Sequence, residues 1–156
     1  MRAAATTLLL AASLAGAGCR HAAPPAPAPA APAAAPAGPS LYTRLGGRDA
    51  IRAVVGDFLG RVAADTRINA FFRGVDTDEL AGKLTDQICQ AAGGPCRYAG
   101  KSMREAHADM KITDADFDAL IEDLAASLDH FKVGPDEARE LLHTLGGLRR
   151  QIVTGR

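Results

Sequence analysis

Tryptophan is absent from the 156 residues, and only two tyrosines and five phenylalanines are present. Aliphatic side chains must therefore fill most of any core. Net charge is also missing: 18 basic residues balance 18 acidic ones, with no basic stripe, which argues against a nucleic-acid partner. No stretch alternates apolar and polar residues with period two, so sheet-based folds are excluded. The apolar run near the N-terminus falls short of the roughly 18–20 residues needed to span a bilayer. Only three cysteines occur, and the spacing of Cys89 and Cys96 fits no zinc signature.

What the chain does contain divides it into three parts. Residues 1–19 read as an export signal: Arg2 supplies the positive start, Leu8, Leu9 and Leu10 open the apolar run, and small residues lead to Cys19. A cysteine in that position is the expected lipidation site of a bacterial lipoprotein. Residues 20–40 are nearly all alanine and proline, with seven of the nine prolines, and read as a disordered, semi-extended tether. The folded domain is expected over residues 41–154. Any membrane association would run through a lipid at Cys19, placing the protein in the periplasm or on the outer membrane. In an oxidising compartment Cys89 and Cys96 would form a structural disulfide; a redox or metal pair is the competing reading.

Within the folded part the helical period dominates. Ser40 to Gly47 reads as a short turn broken by two glycines. Ile51, Val54, Val55, Phe58, Leu59 and Val62 then mark one face of a long helix. Asp76 and Glu79 start the next helix, whose inner face is expected to hold Leu80, Leu84, Ile88 and Ala91, with Lys83 and Gln87 beside it. Gly93-Gly94-Pro95 ends it. Thr113 and Asp116 start another, with Phe117, Leu120, Ile121, Leu124, Leu128 and Phe131 inward. Pro135 opens a last helix carrying Leu141, Leu142, Leu145, Leu148 and Ile152. The fold class is all-α, with four substantial helices and one or two short ones.

One short helix stands apart. Ser102 and Glu105 form a capping-box pattern, so a helix starts at Met103 and places Met103, Ala106, His107 and Met110 on one face. A histidine among methionine and alanine is either a satisfied core residue or a ligand to something buried. The other histidines sit in the tether (His21) or beside polar positions (His130, His143).

The ordered set Leu41-Tyr-Thr-Arg-Leu-Gly-Gly47, Phe71-Phe72 with Gly74, Gly93-Gly-Pro95, Tyr98-Ala-Gly100, Met103-Arg-Glu-Ala-His107 and Ile112-Thr-Asp114 resembles the group 1 truncated globins. That resemblance implies a globin-like two-over-two helical sandwich around haem b. It makes His107 the proximal iron ligand, with its second ring nitrogen donating to an acceptor that the sequence does not name. Phe58 lies on the haem-side helix and Phe72 matches the haem-stacking position. Met103, Ala106, Ile112 and Phe117 match the proximal wall. Lys83 matches a basic position at the haem edge, where it either pairs with a propionate or is an ordinary solvated lysine.

The distal side departs from the family. Leu59 stands where many members carry tyrosine, Leu84 where many carry glutamine or another polar residue, and Leu80 completes an apolar trio. The expected ligands are oxygen, carbon monoxide and nitric oxide, with weak oxygen stabilisation and fast release. Peroxide cleavage lacks acid–base groups. No dedicated catalytic residue is seen. Nitric oxide dioxygenation would need an external reductase; oxygen transport, a haem-based redox or gas sensor, and a non-haem helical lipoprotein adaptor are the other roles the sequence allows.

Overall fold

The computed structural model describes residues 38–155. The signal segment, Cys19 and residues 20–37 of the tether lie outside the described residues. Those described form an all-α domain: α1 (Leu41–Arg44), α2 (Gly47–Ala64), a 3-10 turn (Asn69–Phe72), α3 (Thr77–Ala91), α4 (Met103–His107), α5 (Asp114–His130), α6 (Pro135–Gly146) and α7 (Arg149–Ile152). The long helices pair as α2 with α3 and α5 with α6, and α2 also packs on α5, giving the two-over-two arrangement. No helix among the described residues is long and apolar enough to cross a membrane.

The six apolar residues expected on α2 are all buried, and Val55 is fully so. They meet Ile88 and Cys89 of α3, Leu124 and Leu128 of α5 and Leu141 of α6 in the main core. Burying each Leu, Ile or Val side chain contributes about 1.5–3 kcal/mol before entropy is charged against it. Helix starts follow the local chemistry. The Ser40 and Asp76 side chains accept from backbone N–H groups in the first turns of α1 and α3, and Thr113 with Asp116 closes a full capping box on α5.

The two glycine motifs, nearly fifty positions apart in the chain, meet at Tyr42. The Tyr42 N–H donates to the Ala92 carbonyl at 2.8 Å, and its hydroxyl accepts from the Arg48 N–H at 3.1 Å. Gly94 lies so close to this ring and to Cys89 Sγ that a Cβ would come within 2.5 Å of the tyrosine. A side chain at Gly94 has no room.

Four expectations about the helices are corrected. The last helix is two, because the chain turns at Gly147 and restarts as α7. Phe131 is 42 % exposed rather than inward, since α5 ends at His130 and the chain has already turned there. On α3 the buried residues are Thr85, Ile88 and Cys89, whereas Ala91 is exposed. Thr85 meets the cost of burial by donating to the Ala81 carbonyl at 2.7 Å. Short elements also exceed the expected one or two: α1, α4, α7 and the 3-10 turn.

Candidate functional site

The apolar interior is divided. Beside the main core lies a second cluster of Ile112, Phe117 and Ile152, with Met103, Met110, Ile121, Leu148 and Val153 packed around it. Phe71 packs against both clusters. The smaller cluster stands beside the main core with Phe71 packed on both, so the domain presents two separate apolar walls. Phe58, Leu59, Phe72, Leu80 and Leu84 belong to the first wall, and Met103, Ile112 and Phe117 to the second. Leu80, Leu84, Phe72 and Met103 are only half-buried, as residues lining a cleft would be.

His107 ends α4, the helix beside the second wall. Its Nδ1 lies 2.7 Å from the Met103 carbonyl oxygen, a contact in which the nitrogen donates. That bond fixes the tautomer, so Nε2 carries the free lone pair, and no described side chain hydrogen-bonds to it. Five residues do not make a stable helix in isolation, so α4 depends on its surroundings. Its N-terminus is closed by the capping box: Ser102 Oγ accepts from the Glu105 N–H at 3.3 Å and donates to Glu105 Oε2 at 2.6 Å. The serine's hydroxyl and backbone N–H hold the Glu105 carboxyl below its ordinary range. Its C-terminal side rests on α7 and the tail, where Thr154 and Gly155 donate backbone bonds to the Ile112 carbonyl. Arg149 locks α7 to α5 by lying over the Phe117 ring at 4.5 Å and pairing with Asp114 and Asp118.

On the opposite wall, Leu59 is buried and Leu80 and Leu84 are half-buried, with no hydrogen-bonding group among the three. A cavity of about 270 Å³ opens beside Leu59 and Leu80 and is bounded by Val62, Phe72 and Val75. Its polar rim of Asn69, Arg73 and Thr77 was not anticipated. These residues sit in or beside the connection between α2 and α3, where no periodicity signals orientation. Lys83 is exposed and bonded to Glu79 at 2.6 Å, which raises its pKa. Gln87 does not turn toward the leucines. Its amide Nε2 reaches across to Met103 Sδ at 3.1 Å. Ala106 is exposed and belongs to neither wall, because a helix this short turns only part of its face inward.

Cys89 and Cys96 are joined by a disulfide with a Cα–Cα distance of 5.7 Å. The loop it holds is tied a second time, by the Tyr98 N–H donating to Gln90 Oε1 at 2.8 Å. Both ties connect α3 to the segment that leads into α4.

The likeness to known proteins runs over the whole helical domain. The sequence profile of the bacterial-like globins matches residues 40–154. Group 1 truncated hemoglobin from Tetrahymena pyriformis is 42 % identical over 114 residues, covering 73 % of this chain and 94 % of that one. The chain belongs to the group 1 truncated hemoglobins. The crystal structure of the Tetrahymena pyriformis truncated hemoglobin in its Fe(III) form matches this globin with a TM-score of 0.72 and 36 % identity, covering 76 % of this chain and 100 % of that chain. The 2/2 hemoglobin of a Synechococcus species, solved in the cyanomet state with covalently attached heme, matches with a TM-score of 0.71 and 36 % identity, over 74 % and 98 % of the two chains.

Proposed function

We propose that this truncated globin binds haem b through His107 and reversibly takes up diatomic gases. The observation that carries the reading is the His107 ring itself, which spends Nδ1 on the Met103 carbonyl and keeps Nε2 as a donor to metal. The donor set fits haem rather than a bare ion. No three His, Cys, Asp or Glu side chains converge on one point among the described residues. A single imidazole suits a metal that arrives with its other ligands already in a macrocycle. The facing apolar walls suit a flat apolar ring, and the haem-bearing Synechococcus relative supports the same reading.

Haem iron supplies a coordination position that an uncharged diatomic molecule can take. Leu59, Leu80 and Leu84 present apolar surface to the cleft and offer no hydrogen-bond donor. Carbon monoxide and nitric oxide need little polar help, whereas oxygen would be held weakly and leave quickly. Phe72, Met103, Ile112 and Phe117 would pack the ring, and Lys83 would have to leave Glu79 to serve a propionate. The Cys89–Cys96 disulfide supports an oxidising compartment, in keeping with an exported, envelope-tethered protein.

Absorption spectra of the haem-supplied full chain and of His107→Ala test this. The expected result is one haem per wild-type chain, with a Soret band that shifts on reduction and with carbon monoxide. His107→Ala should lose haem or lose that spectrum. A wild-type chain that takes up no stoichiometric haem would move the reading to a helical envelope adaptor.

A further inference from the structure

The helix that carries His107 has no buried residue of its own to position it. α4 has five residues, none of them fully buried, and its geometry is set by contacts borrowed from elsewhere. One of these comes from the opposite wall. Gln87 lies on α3 three residues beyond Leu84, and its Nε2 donates to Met103 Sδ at 3.1 Å. Met103 is also the residue whose carbonyl accepts from His107 Nδ1 at 2.7 Å. The two contacts share one residue, so a side chain on α3 restrains the acceptor of the histidine's hydrogen bond.

Resting on the reading of His107 as the haem ligand, we propose that Gln87 is a positioning residue for that ligand, acting through Met103. The strength of the Nδ1–H bond sets how much electron density Nε2 can give to a metal, and it depends on where the Met103 carbonyl stands. With Gln87 in place, Met103 is held at the first turn of α4 and the carbonyl faces the ring. Without it, that turn keeps the capping box, the α7 contacts and the non-directional packing of Met103 against the Ile112, Phe117 and Ile152 cluster, none of which fixes the residue through a hydrogen bond to its side chain. The arrangement also joins the two walls, because Gln87 shares α3 with Leu80 and Leu84. The upstream tethers, Cys89–Cys96 and Gln90 to Tyr98, fix the loop but do not touch Met103.

The test is resonance Raman spectroscopy of the ferrous, ligand-free, haem-loaded full chain. It compares wild type, Gln87→Met, which keeps length and removes the donor, Met103→Leu, which removes the sulfur acceptor, and the double variant. The iron–histidine stretch should move to lower frequency in both single variants, with no further movement in the double. Haem loss to an acceptor protein should quicken by about tenfold, the low end of what outer-sphere partners contribute. A role confined to packing would lower thermal stability and leave the stretch in place; that result, or fully additive shifts, would overturn the proposal. Should one single variant fail to load haem, the other carries the comparison alone. A wild-type chain with no iron–histidine band would remove the His107 reading and this proposal together, whereas a normal band unmoved by either substitution would remove only the role of Gln87.

Discussion

The two walls of the cleft are built in opposite ways. The α2–α3 wall rests on long helices, and its innermost residues are among the most buried in the domain: Val55, Val62, Thr85 and Cys89. The second wall combines Ile112 and the buried Phe117 of α5 with one short helix, α4, and it is α4 that carries the histidine, held by a capping box, a C-terminal strap and ties from α3. Volume changes on the first wall are felt as packing energy. On the second they are felt as a change in where a functional atom stands. The difference follows from chemistry: an apolar wall needs only shape, but a ligating nitrogen needs orientation, and orientation comes from hydrogen bonds and tethers.

Removing the strongest tether should expose this contrast most clearly. Replacing Cys89 and Cys96 together by serine is expected to lower stability by about 2–3 kcal/mol, from the loop-closure entropy of so short a loop. Denaturant unfolding would read the loss, and proton exchange should quicken first in residues 95–107 rather than in α2. Uniform exchange across both walls would show them to be one cooperative unit.

A smaller change acts on α4 alone. Ser102→Ala deletes the cap and should cost about 1 kcal/mol, typical of a lost N-cap. Chemical shifts should move around His107 while those of Leu59 and Leu84 stay in place.

The smallest expected effect is with pH. Glu105 and Asp116, the carboxylates of the two capping boxes, both sit below their ordinary values of 4.5 and 3.8. For Glu105 the Ser102 hydroxyl is the main cause and the Ser102 N–H the second. For Asp116 the Thr113 N–H leads, followed by its hydroxyl. Groups that ionise more readily folded than unfolded stabilise the fold above their unfolded pKa, and that contribution disappears as pH falls through the folded one. Stability should therefore decline on acidification below about pH 4.5, and Glu105→Gln should flatten the decline. An unchanged acid limb in that variant would assign it to other carboxyls.

Much of the fold was legible because helical periodicity survives wherever one face of a helix is buried. The α2 stripe is the clearest case, and the caps at Asp76, Ser102 and Thr113 mark starts that the structure keeps. The break at Gly147 is marked by Gly146-Gly147, the same signal that interrupts the chain at the two earlier glycine pairs, but the apolar spacing from Leu145 to Leu148 and Ile152 reads straight through it and hides it. α3 misled in another way. It serves both α2 and the cleft, so its apolar face is wider than one stripe, and Thr85 joins the core by bonding its own helix. His107 and the leucine trio could be picked out through family likeness. Their bonding could not: the Met103 carbonyl is one helical turn from His107, but no spacing rule says that the ring turns back onto it, and the Gln87 contact and the cavity rim of Asn69, Arg73 and Thr77 depend on how separate segments come together.

Oxygen release from the ferrous protein, followed by stopped-flow beside Leu59→Tyr, tests the central claim most directly: a histidine-held haem facing a wall without a donor. Wild type should release oxygen fast. Leu59→Tyr, which adds a hydroxyl to that wall, should slow release about tenfold, as one added hydrogen bond of roughly 1.4 kcal/mol would. Slow release in wild type, unaltered by the tyrosine, would contradict the account and mean that a donor elsewhere reaches the ligand.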